Sequence, residues 1–218
     1  PPLPSLPKDI RHCPKGFLET QEQALTLLPS LMLLKNITIS GLGGVGGYYG
    51  AMLVEAARLE GLGRTISFVA RGPHLEAIRS RGLHVHTPAR EFTVRPDFIA
   101  EDPKELPATD LLILATKSYD LGANIEQLRP IITPKTIILP LLNGADITDQ
   151  VQALLPGARV LDGCVYISGR KPAPGEILLE AERELFFFGE RTEQRTAEEK
   201  ELAALLDSVR VHVINPDH

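Results

Sequence analysis

Gly41, Gly43 and Gly46 stand in a G-x-G-x-x-G spacing, just after the β-branched run Ile37-Thr38-Ile39 and just before the helical pattern Ala51 to Arg58. In a strand–turn–helix unit this spacing serves a dinucleotide. The first glycine permits the tight turn, the second lets the backbone approach a pyrophosphate, and the third lets the new helix pack close to the strand. The helix N-terminus adds free N–H groups and partial positive charge for the phosphates. The alternative is a purely structural turn in an α/β protein. The strand before it and the helix after it favour the dinucleotide site.

Arg71 selects between cofactors. An NAD site usually ends its second strand in Asp or Glu, which holds the ribose 2′-OH. Here the strand Arg64 to Ala70 carries no acid at its end, and Arg71 follows. A guanidinium suits a 2′-phosphate through charge-assisted, often bidentate hydrogen bonds. The missing acid favours phosphate contact over a solvated surface Arg, so NADP(H) is the expected cofactor.

Lys117 and Asn143 each follow a buried strand. Asp110 to Thr116 is a continuous apolar run, as a parallel strand covered on both faces requires, and it delivers Lys117 to its carboxyl end. Ligands of open α/β sheets bind there. A surface Lys at a helix start is the alternative, but the helix dipole disfavours a cation at that point. Thr136 to Leu142 is the next strand and ends at Asn143-Gly144, which is either a plain turn or an amide placed to hydrogen-bond a ligand.

Two other groups carry less. His84 and His86 share one strand face of a hairpin, Leu83 to His86 and Glu91 to Arg95, joined by Thr87 to Arg90. As a metal pair they lack an evident third ligand, so they read as exposed polar positions and no metal site is expected. Cys164 has no His beside it in sequence and reads as a buried small residue in the strand Arg159 to Ser168.

The elements that must position these groups alternate. Helices are expected over Ala51 to Leu59, Pro73 to Arg81, Tyr119 to Leu128, Asp146 to Leu155 and Ala197 to Ser208, the last with Leu202, Leu205 and Leu206 inward. Glu176 to Glu180 and Glu184 to Gly189 read as a terminal hairpin whose acids form a solvated face, and Val209 to Ile214 as a last strand. The predicted fold is α/β and Rossmann-like: a mostly parallel sheet flanked by helices, with added β-hairpins.

Composition narrows the class. At 43% apolar and 23% charged the sequence is ordinary globular material that can bury a core. A net charge of −5 argues against nucleic acid or an anionic membrane as the main partner. Cys13 and Cys164 make neither a disulfide framework nor a zinc spacing, so a cytoplasmic location is the default. No apolar run approaches the ~20 residues of a membrane helix. Residues 1–31 are rich in proline, with a short helix expected over Thr20 to Leu28, and read as an N-terminal extension. The domain is expected to begin near Met32 and to run over residues 32–215.

The ordered set Gly41-Leu42-Gly43-Gly44-Val45-Gly46, Phe68-Val69-Ala70-Arg71, Leu114-Ala115-Thr116-Lys117-Ser118-Tyr119 and Leu142-Asn143-Gly144 resembles the ketopantoate reductase (2-dehydropantoate 2-reductase) family over roughly residues 33–215. The resemblance implies an N-terminal domain that binds NADPH and a C-terminal helical domain that closes over a 2-oxo acid. The implied reaction reduces ketopantoate to pantoate on the route to pantothenate and coenzyme A. It implies that Gly41, Leu42, Gly43, Gly44, Val45 and Gly46 hold the pyrophosphate and that Arg71 holds the 2′-phosphate. Lys117 and Asn143 would lie near the nicotinamide and substrate in supporting roles, and Gly169 would line the cleft. The family's general acid belongs to the helical domain. That domain is expected to start at about residues 216–218, so the chain reads as lacking it, as poorly active alone, and as forming any homodimer through it. A non-catalytic dinucleotide-binding module and a reductase of another 2-oxo acid are the competing readings.

Overall fold

The centre of the molecule is a strand buried on both faces: Ile37 and Ile39 are fully enclosed, and so are Thr38 and Ser40. A strand in that position needs neighbours on both edges and helices on both sides. The computed structural model describes residues 32–144, 146–180, 184–190 and 196–214, and it supplies them. The elements run β1 (Asn36–Ser40), α1 (Gly44–Glu60), β2 (Thr65–Val69), α2 (Gly72–Arg81), β3 (Leu83–His86), β4 (Glu91–Val94), β5 (Phe98–Ala100), β6 (Leu111–Leu114), α3 (Leu121–Leu128), β7 (Ile137–Pro140), α4 (Ile147–Leu154), β8 (Arg159–Val160), β9 (Asp162–Tyr166), β10 (Gly169–Arg170), β11 (Glu176–Leu179), β12 (Leu185–Gly189), α5 (Ala197–Ser208) and β13 (Val213–Ile214). Leu33–His218 forms one unit.

The main sheet has the order β5-β2-β1-β6-β7-β8, and every pairing in it is parallel. This is the doubly wound Rossmann-like arrangement that the sequence predicts. Strand order reverses between β1 and β6, which opens a crevice beyond their carboxyl ends. Among the described residues no helix is long and apolar enough to cross a membrane.

α1 fills the space over the sheet. Tyr49, Ala51, Leu53 and Ala56 are fully buried, and Gly61 in the left-handed conformation (φ 67°) ends the helix. A buried cation ties down its exit. Arg64 is 5% exposed; it makes a bidentate pair with Glu60 at 2.9 Å and donates to Glu201 of α5 at 2.9 Å. Glu201 also accepts from the Leu33 and Leu34 amides. One guanidinium thus joins the approach to β1, the end of α1 and α5. The start of α5 is held by a capping box between Thr196 and Glu199.

The structure departs from the sequence reading in four places. First, β11 and β12 are not a hairpin. β11 pairs in parallel with β3 and antiparallel with β10, while β12 pairs with β9 and β13. The two strands carry separate apolar sets: Ile177 reaches α1 at Gly47, whereas Phe186 stacks edge-on against Tyr49 at 4.7 Å. Burying both sets outweighs the local preference for pairing sequence neighbours. Second, the strand expected over Arg159 to Ser168 breaks at Leu161, so that β8 joins the main sheet and β9 the sheet of order β13-β12-β9. Third, Cys164 is exposed rather than buried, because it lies opposite Phe187 on the outward face of β9. Fourth, Glu184 is not on a solvated face. It accepts a 2.8 Å hydrogen bond from the Tyr48 hydroxyl, and burial pushes its carboxyl above the usual range despite that bond. Residues 1–31, with the helix expected over Thr20 to Leu28, and residues 215–218 lie outside the described residues.

Candidate active site

One registered row of backbone positions defines the upper edge of the sheet. Val69 pairs with Ser40, Ser40 with Leu114, and Leu114 with Pro140. The candidate residues follow this row at once: Gly41 by one residue, Arg71 by two, Lys117 and Asn143 by three each. Groups that are far apart in sequence therefore converge because the parallel strands end level.

The glycine turn has the geometry its spacing predicts. Gly41 adopts φ +94°, and a Cβ there would lie 2.5 Å from the Thr116 amide nitrogen. A Cβ on Gly46 would lie 2.2 Å from the Gly41 carbonyl oxygen, so the third glycine permits close helix–turn contact. At Gly43 an added Cβ would meet nothing within 4 Å. That open space is what the approach of a pyrophosphate requires. No acidic residue occupies the first turn of α1, and its N-cap Gly43 offers no side-chain cap. The first amides keep their hydrogen-bonding capacity for an anion.

These residues border a cleft of about 410 Å³ that includes Gly41, Leu42, Gly43, Arg71, Thr116 and Lys117. Gly44, Val45 and Gly46 continue the turn behind them. Arg71 is exposed and caps α2 through its backbone, and Lys117 is exposed at the exit of β6. Neither makes an ion pair among the described residues. Two unpaired cations and a helix N-terminus facing one cleft suit a polyanionic ligand.

Asn143 and Gly169 stand elsewhere. Asn143 borders an adjacent cleft of about 580 Å³ with Leu142, Gly163, Cys164 and Phe188, next to the Lys117 strand end but across the β6–β7 boundary. Gly169 packs on the turn itself, with its backbone directly against Gly44.

Sequence reasoning missed several cleft residues. Asn124 of α3 donates to the Ser40 hydroxyl at 2.9 Å; Ser40 hydrogen-bonds back at 3.2 Å, which fixes the end of β1. Glu101 follows β5 and enters the cleft because Ala100 pairs with Val69. Lys171 arrives from the loop after β10. His74 of α2 is 7% exposed and accepts a hydrogen bond from the Gly175 amide at 2.9 Å on its Nδ1, which anchors that loop. Burial, with the Lys171 charge, pulls the His74 imidazole below its ordinary value, while the Leu42 carbonyl works the other way. Each of these contacts spans a long sequence separation and left no local signal.

The family model for ketopantoate reductase PanE/ApbA matches residues 37–192. The chain belongs to this ketopantoate reductase family. It is 31% identical over 180 residues to the uncharacterized oxidoreductase YkpB of Bacillus subtilis, an alignment that covers 83% of this chain and 57% of that protein. It is 31% identical over 200 residues to a 2-dehydropantoate 2-reductase of Mesorhizobium japonicum, covering 80% of this chain and 59% of that one. The crystal structure of 2-dehydropantoate 2-reductase from Porphyromonas gingivalis W83 superposes with a TM-score of 0.79 at 48% identity, over 84% of this chain and 64% of that one. The chain thus spans less than two thirds of the length of each. The family is one of dinucleotide-dependent oxidoreductases, and the cleft at the sheet's switch point is where this chain brings together Gly41, Leu42, Gly43, Arg71 and Lys117.

Proposed function

We propose that the cleft binds NADPH and that the protein is the cofactor-binding part of a 2-dehydropantoate 2-reductase, which reduces ketopantoate to pantoate for pantothenate and coenzyme A synthesis. The observation that carries this reading is the convergence of the glycine turn, Arg71 and Lys117 on one cleft beyond the level ends of β1, β2 and β6. The residues suit the cofactor: open space at Gly43 fits a pyrophosphate, and an unpaired guanidinium fits a 2′-phosphate.

Bound NADPH supplies the hydride. Negative charge then builds on the carbonyl oxygen of the 2-oxo acid. Lys117 contributes positive potential and orientation, and Asn143 offers amide hydrogen bonds to the nicotinamide ribose or the substrate. Gly41 to Gly46 hold the pyrophosphate and Arg71 the 2′-phosphate. Gly169 shapes the site by backing the turn at Gly44. We assign the proton donor to none of the described residues. Without a positioned acid the rate is lower by roughly 10²–10⁴-fold. In this proposal the polypeptide binds cofactor, and its rate of ketopantoate reduction reports whether a residue outside this set donates the proton.

A second reading rests on Glu101, a carboxylate in the same cleft. A carboxylate there can hold a ribose 2′-OH, and so favour NADH. Calorimetric titration of NADPH and NADH against wild type, Arg71→Ala and Glu101→Ala separates the two. Losing a charge-assisted hydrogen bond of ~1.5–3 kcal/mol weakens NADPH binding to Arg71→Ala by roughly 10- to 150-fold and leaves NADH unchanged. Equal wild-type affinities for the two cofactors, or an NADH loss confined to Glu101→Ala, would overturn the NADPH assignment.

A further inference from the structure

The outward face of the β3–β4 hairpin carries a constellation that the dinucleotide cleft does not use. Strand alternation sends Leu83, Val85 and Val94 into the core beneath α1. The same alternation places His84 and His86 on the opposite face. The antiparallel register sets His86 directly across from Glu91 and His84 directly across from Thr93. The third ligand that the His pair lacks in sequence is thus supplied by the neighbouring strand.

We propose that His84, His86 and Glu91 form a binding site for a divalent transition-metal ion of the zinc class. The three ligating atoms lie within 4.8 Å of one another. His86 Nδ1 is 3.1 Å from Glu91 Oε1, and His84 Nε2 is 3.7 Å from Glu91 Oε2. Zinc with nitrogen ligands at ~2.0–2.1 Å requires ligand–ligand distances of about 3.3 Å in a tetrahedron. The two separations, each to a different oxygen of the Glu91 carboxylate, lie on either side of that value. Rotation of these partly exposed side chains closes the remaining gap and leaves the backbone where it is.

Thr93 fits the role of a positioning residue. His84 Nδ1 and Thr93 Oγ1 are 2.7 Å apart. When Nδ1 carries the proton and donates to that hydroxyl, Nε2 presents its lone pair toward Glu91. Metal-bound imidazoles almost always donate their other N–H in this way. Two neutral imidazoles and one carboxylate give a donor set suited to zinc, nickel or copper rather than to calcium or magnesium. Three protein ligands leave at least one coordination position for water or an exogenous ligand. Glu176 is registered with His84 through β11 and is directed to Arg81 at 3.7 Å, while Arg95 donates to the Arg79 and Ser80 carbonyls.

The site does not depend on the dinucleotide reading, and the test keeps the two apart. Tag-free, chelator-treated 218-residue protein is titrated with Zn²⁺ by calorimetry and with Co²⁺ by visible absorption. The expected result is one saturable equivalent with a cobalt ligand-field spectrum. His84→Gln/His86→Gln and Glu91→Gln are each expected to lose that equivalent, while retaining the wild-type melting curve in chelator and the wild-type dinucleotide affinity. Thr93→Val is expected to weaken metal binding by roughly 10–100-fold and Thr93→Ser to restore it. Absence of a saturable equivalent in the wild type, or its persistence in His84→Gln/His86→Gln, would overturn the proposal.

Discussion

A Cβ placed on Gly44 would fall 2.0 Å from the carbonyl oxygen of Gly169. The first residue of α1 and the first residue of β10 are therefore in direct backbone contact, which seats the loop carrying Lys171 against the glycine turn. A backbone overlap of this kind cannot be relieved by rotating a side chain. Gly44→Ala is expected to cost about 1–3 kcal/mol of stability and to weaken dinucleotide binding by displacing that loop. Urea denaturation and a cofactor titration on the same variant check both effects.

Gly43 and Gly46 should respond oppositely to the same change. Gly46→Ala brings a methyl to 2.2 Å from the Gly41 carbonyl oxygen, so both the turn and cofactor binding should fail. Gly43 has an ordinary extended φ of −82° and open space at its Cβ. Gly43→Ala should stay within about 0.5 kcal/mol of wild-type stability and still lose dinucleotide affinity by tenfold or more, about 1.4 kcal/mol. Tight binding by Gly43→Ala would remove the pyrophosphate from that position.

Arg64 should be among the costliest polar residues to replace. Its side chain is 1% exposed, while Glu60 and Glu201 retain 25% and 20%. Breaking a buried ion pair from one side costs about 3–5 kcal/mol. Water access to both carboxylates places Arg64→Met at the lower end, about 3 kcal/mol. Chemical denaturation measures this directly, and a loss below about 1 kcal/mol would show that the network contributes little.

His74 should make stability depend on pH. Its folded value lies below the ordinary 6.5, so between the two values the unfolded chain binds more protons than the folded one. Its contribution is therefore fully present above 6.5 and is lost as pH falls through the folded value. His74→Asn keeps an acceptor for the Gly175 amide and does not titrate in this range. Melting temperatures from pH 7.5 to 5 are expected to fall more steeply in wild type than in His74→Asn; parallel curves would contradict the assignment.

The sequence by itself determined the features that covalent spacing controls. The glycine positions 41, 43 and 46 lie within one turn, so their backbone geometry follows from local spacing: Gly41 takes a positive φ, and a Cβ on Gly46 would meet the Gly41 carbonyl. The apolar run Leu111 to Leu114 is buried throughout, as a doubly covered strand must be, and the boundaries of α5 match the pattern Ala197 to Ser208. The hairpin of Leu83 to His86 with Glu91 to Arg95 was legible in the sequence, whereas the structure supplied the register that sets Glu91 opposite His86. Tertiary structure decided whatever depended on competition for burial. It moved β11 from β12 to β3, exposed Cys164, buried one side of Glu184, and set Asn143 in a cleft beside that of Lys117. It also delivered Glu101, Asn124 and Lys171 to the cleft beside the glycine turn. The physical reason is the same in each case: a strand's partner is chosen by which apolar faces can be covered together, and that choice involves residues scores of positions away.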